Sequence, residues 1–287
     1  MTLRLKFGWL GIAALLVAFG ANLVTFGANA QSKFPGEGGV NLDVPYVPTA
    51  QGVVNRMLEM AQAGPNDIHY DLGSGDGRIV VTAARDFKVK KGVGVDIDPV
   101  RIKEANANAK SAGVTDRVTF LQTDLFKFDF SEASVLTLYL LPDVNLKLRP
   151  TILNALKPGT RVVSHAFTMG DWRPDNQAAV ESEALYFWVV PAKVSGGWEW
   201  KIGSDNYRLD LSQEFQVVTG MLQGPGGQSK LLSTALKGED FRFDASVPRG
   251  GAPVVMHFVG KLSGNTLTGA IDFAGTQRSQ ITATQAK

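Results

Sequence analysis

The chain has 287 residues, of which 44% are hydrophobic and 20% are charged, a composition typical of a globular protein. It contains no cysteine, which excludes disulfides, thiolate metal sites and cysteine nucleophiles. The 29 Lys and Arg residues nearly balance the 27 Asp and Glu residues, so the overall charge gives no indication of a nucleic-acid partner, and we predict none.

The first 30 residues have the layout of an export signal. Arg4 and Lys6 precede an apolar stretch, residues 7–28, and the segment closes on Ala28-Asn29-Ala30. This order predicts a secretory signal peptide cleaved before Gln31. The alternative is an uncleaved membrane anchor, because the stretch approaches the roughly 20 apolar residues that span a bilayer. Since the basic residues stay inside in both cases, we expect a periplasmic or secreted protein, or one tethered to the membrane by this segment alone.

The rest of the chain is longer than one typical domain, and we predict two, residues 31–193 and residues 194–287. In the first domain, a glycine-rich segment leads through residues 44–49 into a helix predicted over residues 50–63. Gly64-Pro65 ends this helix.

A glycine loop follows at residues 71–77, between a predicted strand and a helix predicted over residues 78–85. Its three glycines can take positive φ and lack a Cβ, so a flat adenosine-like ligand can lie close to the backbone. No Gly-Lys-Ser/Thr follows, which excludes a P-loop, and the G-x-G-x-G spacing differs from that of dinucleotide-binding loops. Asp71 and Asp76 would repel a pyrophosphate and attract a ligand that carries an ammonium and a sulfonium. The loop therefore favours S-adenosylmethionine over NAD, although Asp76 also suits an exposed acid at a helix start.

Two more carboxylates follow predicted strands. Asp96 lies about twenty residues beyond the loop, where such folds place an acid on the ribose hydroxyls. Asp124 follows a third apolar run at residues 118–122. Together with Asp71, these acids are expected to surround one ligand. The alternative for Asp71 and Asp96 is capping of the helix that follows each.

The pattern Asp-x-Gly-x-Gly-x-Gly resembles the first motif of the seven-stranded, class I S-adenosylmethionine-dependent methyltransferases. The resemblance implies S-adenosyl-L-methionine as the cofactor, with Asp124 near the adenine. The cofactor-binding residues that it implies are Asp71, Gly73, Ser74, Gly75, Gly77, Asp96 and Asp124.

Strands and helices alternate through the remainder of the first domain. Helices are predicted over residues 99–112 and about 144–156, and strands at residues 92–96, 118–122, 135–139, 161–167 and 185–190. This alternation predicts an α/β fold with a doubly wound, Rossmann-like parallel sheet. In such a sheet the ligand lies outside the carboxyl ends of the strands.

Several phrases between residues 44 and 190 have counterparts in a narrower group. They are Val-Pro-Tyr-Val-Pro-Thr at 44–49, Asp-Leu-Gly-Ser-Gly-Asp-Gly-Arg at 71–78, Asp-Leu-Phe at 124–126, Tyr-Leu-Leu-Pro at 139–142 and Pro-Gly-Thr-Arg-Val-Val-Ser at 158–164, with Trp172 and Pro174. These phrases resemble the small lysine methyltransferases related to the ATP synthase c-subunit lysine methyltransferase. The chain departs from that group in its export signal and its second domain. The resemblance implies a protein lysine as the methyl acceptor, with a small-molecule acceptor as the alternative.

Methyl transfer from a sulfonium is an in-line displacement that depends on placement of the acceptor and exclusion of water. A lysine acceptor must also lose a proton, which an apolar pocket favours by lowering its pKa. Tyr46, Thr49 and Tyr139 are the candidate catalytic residues, because the corresponding segments border the cofactor in the resembling group. For the two tyrosines, packing in the core with the hydroxyl at the rim is an equal alternative.

Three histidines are scattered along the chain. His165 lies near the expected strand ends and either orients a substrate or is structural, the usual role of a lone histidine. His69 falls in the first strand and His257 in the second domain. With no cysteine beside them, no metal site is predicted.

From residue 194 the hydrophobic pattern changes to a period of two, which predicts a small antiparallel β barrel or sandwich. The predicted strands cover residues 198–202, 207–211, 215–218, 230–232, 241–243, 254–259 and 267–273. Trp198 and Trp200 share one face, which favours packing in the core or between domains over a ligand platform.

Two functions follow from these observations. The first is an exported methyltransferase that acts on a protein lysine or another small nucleophile, with the β domain positioning the substrate. The second is a non-catalytic binding or sensing module, because S-adenosylmethionine is made in the cytoplasm. The intact acids Asp71, Asp96 and Asp124 favour the first.

Overall fold

A computed structural model describes residues 33–249, 251–275 and 278–286. The predicted export signal at residues 1–30 lies outside these ranges. The described residues belong to one compact unit. None of the helices in these ranges combines the length and the apolarity needed to cross a membrane.

The first part of the unit is a seven-stranded sheet covered by helices and preceded by a separate two-stranded sheet of its first two strands. Its elements are β1 (Phe34–Pro35), β2 (Asn41–Leu42), α1 (Gln51–Met60), β3 (Ile68–Leu72), α2 (Arg78–Arg85), β4 (Lys91–Asp96), α3 (Pro99–Ala112), β5 (Val118–Gln122), β6 (Val135–Leu138), α4 (Pro142–Ala155), β7 (Arg161–His165), β8 (Asn176–Val180) and β9 (Glu183–Val189). The order across the sheet is β5-β4-β3-β6-β7-β9-β8, and β9 runs antiparallel to both of its neighbours. The predicted α/β fold with a doubly wound sheet is confirmed.

Two helices begin and end where the sequence signals place them. Helix α2 follows Gly77, which has a φ of 77°. Helix α3 starts after Asp98, whose carboxylate accepts the Val100 N–H at 2.8 Å, and it ends at Gly113 with a φ of 66°. A carboxylate cap at the start and a left-handed glycine at the end are common helix boundaries.

Other predicted boundaries are wrong. Helix α1 stops at Met60 rather than residue 63, because Gln62 has a φ of 49° and the Arg161 guanidinium binds the carbonyl oxygens of Ala61 and Gln62. Strand β7 ends at His165 rather than residue 167, since Ala166 has a φ of 64°. Strand β6 ends one residue early, α4 starts at Pro142, and β8 was not predicted.

The second part of the unit is a closed antiparallel barrel, which decides between the predicted barrel and sandwich. Its strands are β10 (Gly196–Ile202), β11 (Asp205–Glu214), β12 (Val217–Gly224), β13 (Gly227–Lys237), β14 (Asp240–Arg249), β15 (Ala252–Ser263), β16 (Thr266–Phe273) and β17 (Ser279–Gln285). Strand β17, which was not predicted, pairs with both β10 and β16 and closes the barrel. Phe215 lies in the turn before β12 with a φ of 53°, not in a strand as predicted.

Side chains fill the inside of the barrel. Phe241, Phe243 and Phe258 are buried there in contact with one another. Trp198 and Trp200 belong to the same core, as the core-packing interpretation expects, and Trp200 stacks on Tyr207 with ring centroids 5.5 Å apart. The described part of the barrel therefore has an interior filled by side chains.

The barrel packs near the amino end of β7. Ala192 donates its N–H to the carbonyl of Gly238 at 2.8 Å, and Gly238 lies against the backbone of Gly159, just before β7. Phe215 stacks on Trp172 with ring centroids 6.2 Å apart. Ligands of such sheets bind at the carboxyl ends of the strands. The barrel therefore contacts the end of the sheet opposite the expected ligand site.

Candidate functional site

A cavity of about 270 Å³ opens at the carboxyl ends of the parallel strands. Its walls are the glycine loop after β3, the turns after β4, β5 and β6, and the segment from Leu42 to Thr49. No barrel residue is among those described as lining it. The structure brings together on its wall nearly all of the predicted site residues, namely Tyr46, Thr49, Asp71, Gly73, Ser74, Gly75, Asp96, Asp124 and Tyr139.

Parallel pairing brings these residues together. Asp71 in β3 lies opposite Gly94 in β4 and opposite Thr137 in β6. Strands in this register end at the same edge of the sheet, so the residues that follow each strand converge. The cavity is the space that this convergence leaves.

The glycines of the loop serve close packing as well as ligand access. Gly73, Gly75 and Gly77 have φ values of 78°, 52° and 77°. A Cβ on Gly73 would stand 2.8 Å from the Leu140 side chain, and one on Gly75 would stand 2.5 Å from the Tyr46 ring. A residue with a side chain would therefore clash at either position and would adopt a strained backbone conformation.

Gly77 differs from its neighbours. It does not line the cavity, and a Cβ there would meet the ring of Phe120 at 2.6 Å and the Cβ of Ala105 at 2.8 Å. Its side of the loop faces α3 and β5. Gly77 therefore lets α2 pack closely on α3 and β5, and its contact with the ligand stays a prediction.

Asp71 is a buried carboxyl group on the cavity wall. It accepts a hydrogen bond of 2.7 Å from Thr137 Oγ1, which also lies 2.8 Å from His69 Nε2. Burial raises the pKa of Asp71 to about 7, against the opposing effect of the Thr137 bond, and the nearby Asp96 and Asp76 carboxylates raise it further. Burial lowers the pKa of His69 to about 3, so this ring is neutral. A cation bound in the cavity would therefore favour the ionised form of Asp71.

Asp96 stabilises the glycine loop and the turn after β4 through hydrogen bonds to their backbone. Its carboxylate accepts the N–H of Gly75 at 2.8 Å and the N–H of Asp98 at 2.9 Å. Burial raises its pKa above the ordinary value, and these hydrogen bonds oppose the shift. Asp124 accepts the N–H of Phe126 at 2.9 Å and remains partly exposed. Both acids lie on the cavity wall and also stabilise the loop that carries them.

Asp76 is in an ion pair, which the expectation of a free helix-start acid did not include. Arg78 binds it through Nε at 2.9 Å and Nη2 at 2.7 Å. Burial raises the pKa of Asp76, but the bonds from Arg78 outweigh it and the net shift is downward. Arg78 also donates from Nη1 to the carbonyl of Thr49 at 2.9 Å, and the Arg101 guanidinium lies 4.4 Å from the centre of the Tyr46 ring. These two arginines, missed in the sequence, tie residues 44–49 to the cavity wall.

Two of the three candidate catalytic side chains, Thr49 and Tyr139, contact His165. Tyr46 is 38% exposed at the rim, whereas Thr49 is buried and Tyr139 is partly buried. His165 lies behind the wall, with Nδ1 3.3 Å from Thr49 Oγ1 and its ring centre 3.8 Å from that of Tyr139. On its other side, Nε2 lies 3.3 Å from Glu183 Oε2. His165 is therefore a buried group linked both to the cavity and to a carboxylate at the surface.

Glu183 is a residue that sequence reasoning missed. It lies eighteen residues after His165, at the start of the antiparallel strand β9, and it reaches the histidine because His165 pairs with Leu185. No local signal marks such a pairing. Burial lowers the pKa of His165, and the neighbouring Glu183 opposes that shift.

Comparison with known proteins places this chain among methyltransferases. Residues 71–176 match the sequence profile of the ANTKMT methyltransferase domain. The chain is 50% identical over 151 residues to a protein-lysine N-methyltransferase of Saccharolobus islandicus, covering 51% of this chain and 94% of that protein. It is 32% identical over 135 residues to the adenine nucleotide translocase lysine N-methyltransferase of Mus musculus, covering 47% of this chain and 58% of that protein.

A solved structure shares the fold of the first part. It is described as an RNA methyltransferase from Salinibacter ruber in complex with S-adenosyl-L-homocysteine, with a TM-score of 0.51 and 55% sequence identity. The similarity covers 52% of this chain and 96% of that one.

Proposed function

Since the chain belongs to the family of S-adenosylmethionine-dependent methyltransferases, we propose that it is a protein-lysine N-methyltransferase. The observation that carries the proposal is its 50% identity to the Saccharolobus enzyme over 94% of that protein's length. This relationship extends over 151 residues, well beyond the glycine-loop motif. The acceptor is therefore proposed to be the same kind of group, a lysine amine.

S-adenosylmethionine is the cofactor, and the cavity has the features to hold it. When bound, it supplies an electrophilic methyl group on a sulfonium. The side-chain-free loop at Gly73 and Gly75 allows a flat ligand to approach the backbone. The buried Asp71 carboxyl offers a counter-charge to an ammonium, and Asp96 offers carboxylate oxygens to hydroxyl groups. These roles are proposals for the individual residues.

The mouth of the cavity suits the side chain of a lysine. Tyr46, Val47, Tyr139 and Phe167 line it with aromatic and aliphatic surface, and Val47 is 53% exposed at the rim. An aliphatic lysine stem can lie along such a surface. Moving the amine out of water lowers its pKa, which favours the neutral form that attacks the methyl group. The chain thus contributes placement, desolvation and exclusion of water.

The test uses the purified full-length protein and S-adenosylmethionine with a labelled methyl group. Total protein from the source cells and lysine-containing peptides are offered as acceptors, and mass spectrometry locates the label. Label on a lysine Nε is the expected result. A protein that binds S-adenosylhomocysteine yet places no label on any lysine would contradict the proposal.

An RNA acceptor is the second candidate, favoured by the description of the Salinibacter structure at 55% identity. RNA-binding surfaces are generally basic. Here 29 basic residues are set against 27 acidic ones, which favours the protein acceptor. The same assay with total RNA distinguishes the two, because label in nuclease-sensitive material alone would establish the RNA acceptor.

We also propose that residues 1–30 direct the rest of the chain out of the cytoplasm, from their basic, apolar and small-residue order. A topology reporter fused after Lys287 tests this. An enzyme reporter that is active only outside the cytoplasm should be active in this fusion. Activity of a cytoplasmic reporter alone would contradict export and would remove the question of how S-adenosylmethionine is supplied.

A further inference from the structure

Three side chains form a line from the cavity to the surface. Thr49 lies on the cavity wall and is 3% exposed, and its Oγ1 is 3.3 Å from Nδ1 of His165. The His165 side chain is also 3% exposed, and its Nε2 is 3.3 Å from Oε2 of Glu183. The Glu183 side chain is 48% exposed, so the line ends in solvent.

The hydrogen bonds in this line have a fixed direction. An ionised Glu183 can only accept, so Nε2 of His165 carries the hydrogen between them. In a neutral ring Nδ1 is then an acceptor, and Thr49 Oγ1 donates to it. Burial lowers the pKa of His165, which favours the neutral ring near neutral pH. Each group can thus accept a proton on its cavity side and release one on its solvent side.

Few other titratable groups act on His165. Tyr139 covers one face of the ring, and burial raises the pKa of that phenol, so it is uncharged near neutral pH. Glu183, on the neighbouring strand β9, is the charged group that acts on His165 within the described ranges. A proton that reaches the ring therefore has one carboxylate to move to.

We propose that Thr49, His165 and Glu183 carry the proton of the acceptor amine from the cavity to solvent. This inference rests on the proposed function, because it needs an acceptor that enters as an ammonium. The ammonium N–H gives its proton to Thr49 Oγ1, the Thr49 hydroxyl proton moves to His165 Nδ1, and the proton on Nε2 passes to Glu183 and then to water. The net change is one proton moved from the amine to solvent, which frees the nitrogen lone pair, and a shift of the His165 ring from the Nε2–H to the Nδ1–H tautomer. No electrons are exchanged.

The same path serves repeated methylation of one amine once the His165 ring has returned to its Nε2–H tautomer. The product of the first transfer is a methylammonium, which must lose a proton before it can attack a second methyl group. Without a proton exit, the first product would have to leave the site to be deprotonated in water. Loss of the path is therefore expected to raise the proportion of monomethylated product.

The main test variant is Glu183→Gln. The amide oxygen can still accept from His165 Nε2, so the contact is kept while the proton acceptor is lost. We expect kcat/KM for the lysine peptide identified in the labelling assay to fall roughly 10²-fold near pH 7, the size typical of a lost proton-transfer group. The deficit should shrink toward about pH 10, where a growing fraction of lysine is already deprotonated in water. Affinity for S-adenosylhomocysteine should not change.

Changes at Thr49 separate the proton path from a structural contact. Thr49→Ser keeps the hydroxyl and should retain the wild-type pH profile. Thr49→Val keeps the shape and should behave like Glu183→Gln, including recovery at high pH. A structural role would reduce activity at all pH values, because alkaline solution does not restore a lost contact.

The matched control is Asp244→Asn in the barrel. Asp244 is also a carboxylate bonded to a histidine, with His257 Nδ1 at 2.6 Å, but it lies in the barrel strand β14 and is not among the residues that line the cavity. This variant should match the wild type at every pH. Glu183→Gln and Thr49→Val with wild-type pH profiles would overturn the proton path while leaving the lysine methyltransferase intact. A wild-type protein that methylates no amine would overturn both.

Discussion

The ring of Tyr46 lies so close over Gly75 that a Cβ on this glycine would stand 2.5 Å from Cε2 of the tyrosine. Gly75 also donates its N–H to Asp96 at 2.8 Å. One position without a side chain thus lets the segment at residues 44–49 close over the glycine loop. The two parts of the cavity wall meet at this contact.

The substitution Gly75→Ala is therefore expected to weaken S-adenosylhomocysteine binding by about 5- to 150-fold. It forces a side chain into a φ of 52° and displaces Tyr46, at a cost of roughly 1–3 kcal/mol. Calorimetric titration measures the affinity. The control is Gly113→Ala, where φ is 66° and no atom lies within 4 Å of the added Cβ. The control should lose stability without losing affinity, and equal affinity in both variants would contradict the expectation.

Asp71 should make cofactor binding depend on pH. Its pKa is raised to about 7 by burial, so the carboxyl is neutral below that pH and an anion above it. Affinity for S-adenosylhomocysteine, which carries an ammonium, should rise from about pH 5.5 to about pH 7.5 and then level off. Asp71→Asn should bind more weakly and without this rise. A wild-type affinity that is flat over the range would exclude Asp71 as the counter-charge.

The same group affects the stability of the unliganded protein, with the opposite dependence on pH. Because the pKa is higher in the folded state, the protonated carboxyl contributes stability that is fully present below its unfolded value of 3.8 and is lost as pH rises through about 7. Asp71→Asn removes the buried charge and should raise Tm relative to the wild type at about pH 8, but not at about pH 5. Thermal denaturation at the two pH values measures this.

Asp96→Ala should reduce affinity for S-adenosylhomocysteine by roughly 1.5–3 kcal/mol, the size of a hydrogen bond to a charged group. The variant also leaves the N–H groups of Gly75 and Asp98 without their acceptor. Asp96→Asn, which keeps an acceptor oxygen, should lose less. Unchanged calorimetric affinity in the alanine variant would remove Asp96 from the cofactor site.

The contact between the barrel and the sheet depends on Gly238. Its φ is 58°, and a Cβ there would stand 3.0 Å from the Cα of Gly159. Gly238→Ala should lower the free energy of unfolding by roughly 1–3 kcal/mol in urea titration. The control is Gly264→Ala, in another hairpin turn with a φ of 57° and open space around the added Cβ. The Gly238 variant should lose more stability than the control, and both should bind S-adenosylhomocysteine normally.

Local signals in the sequence predict much of the first part of the fold. Helix α3 has a capping aspartate, a proline and a terminal glycine, and its bounds were predicted correctly. Strands β8 and β17 were missed because Asn-Gln-Ala-Ala-Val and Ser-Gln-Ile-Thr-Ala-Thr-Gln carry few large apolar residues. The first lies at the edge of its sheet, and the second turns only Ile281 and Ala283 inward as buried side chains. Tertiary pairing, rather than local pattern, makes them strands.

The candidate site also contains residues that the sequence predicts and residues that it does not. Asp71 and Asp96 lie at the carboxyl ends of β3 and β4, and Asp124 follows β5. Parallel pairing therefore makes their convergence predictable. The partner of His165 was not predictable, because Glu183 reaches it only through the antiparallel register of β7 and β9. The packing of Gly77 against Phe120 was not predictable either, since a glycine that packs against a ring has the same sequence signature as one that touches a ligand.

The seam that closes the barrel has a consequence for the order in which the protein folds. Trp198 pairs with Gln285 there, so the first barrel strand, β10, gains its second neighbour only when the last strand, β17, has formed. Contacts between residues so distant in the chain form slowly, because a long loop must be ordered before they are gained. The sheet of the first part is made earlier during synthesis and is built largely from consecutive elements. Barrel closure is therefore expected as the late, slow step, during which β10 and β16 expose unpaired edges to other chains.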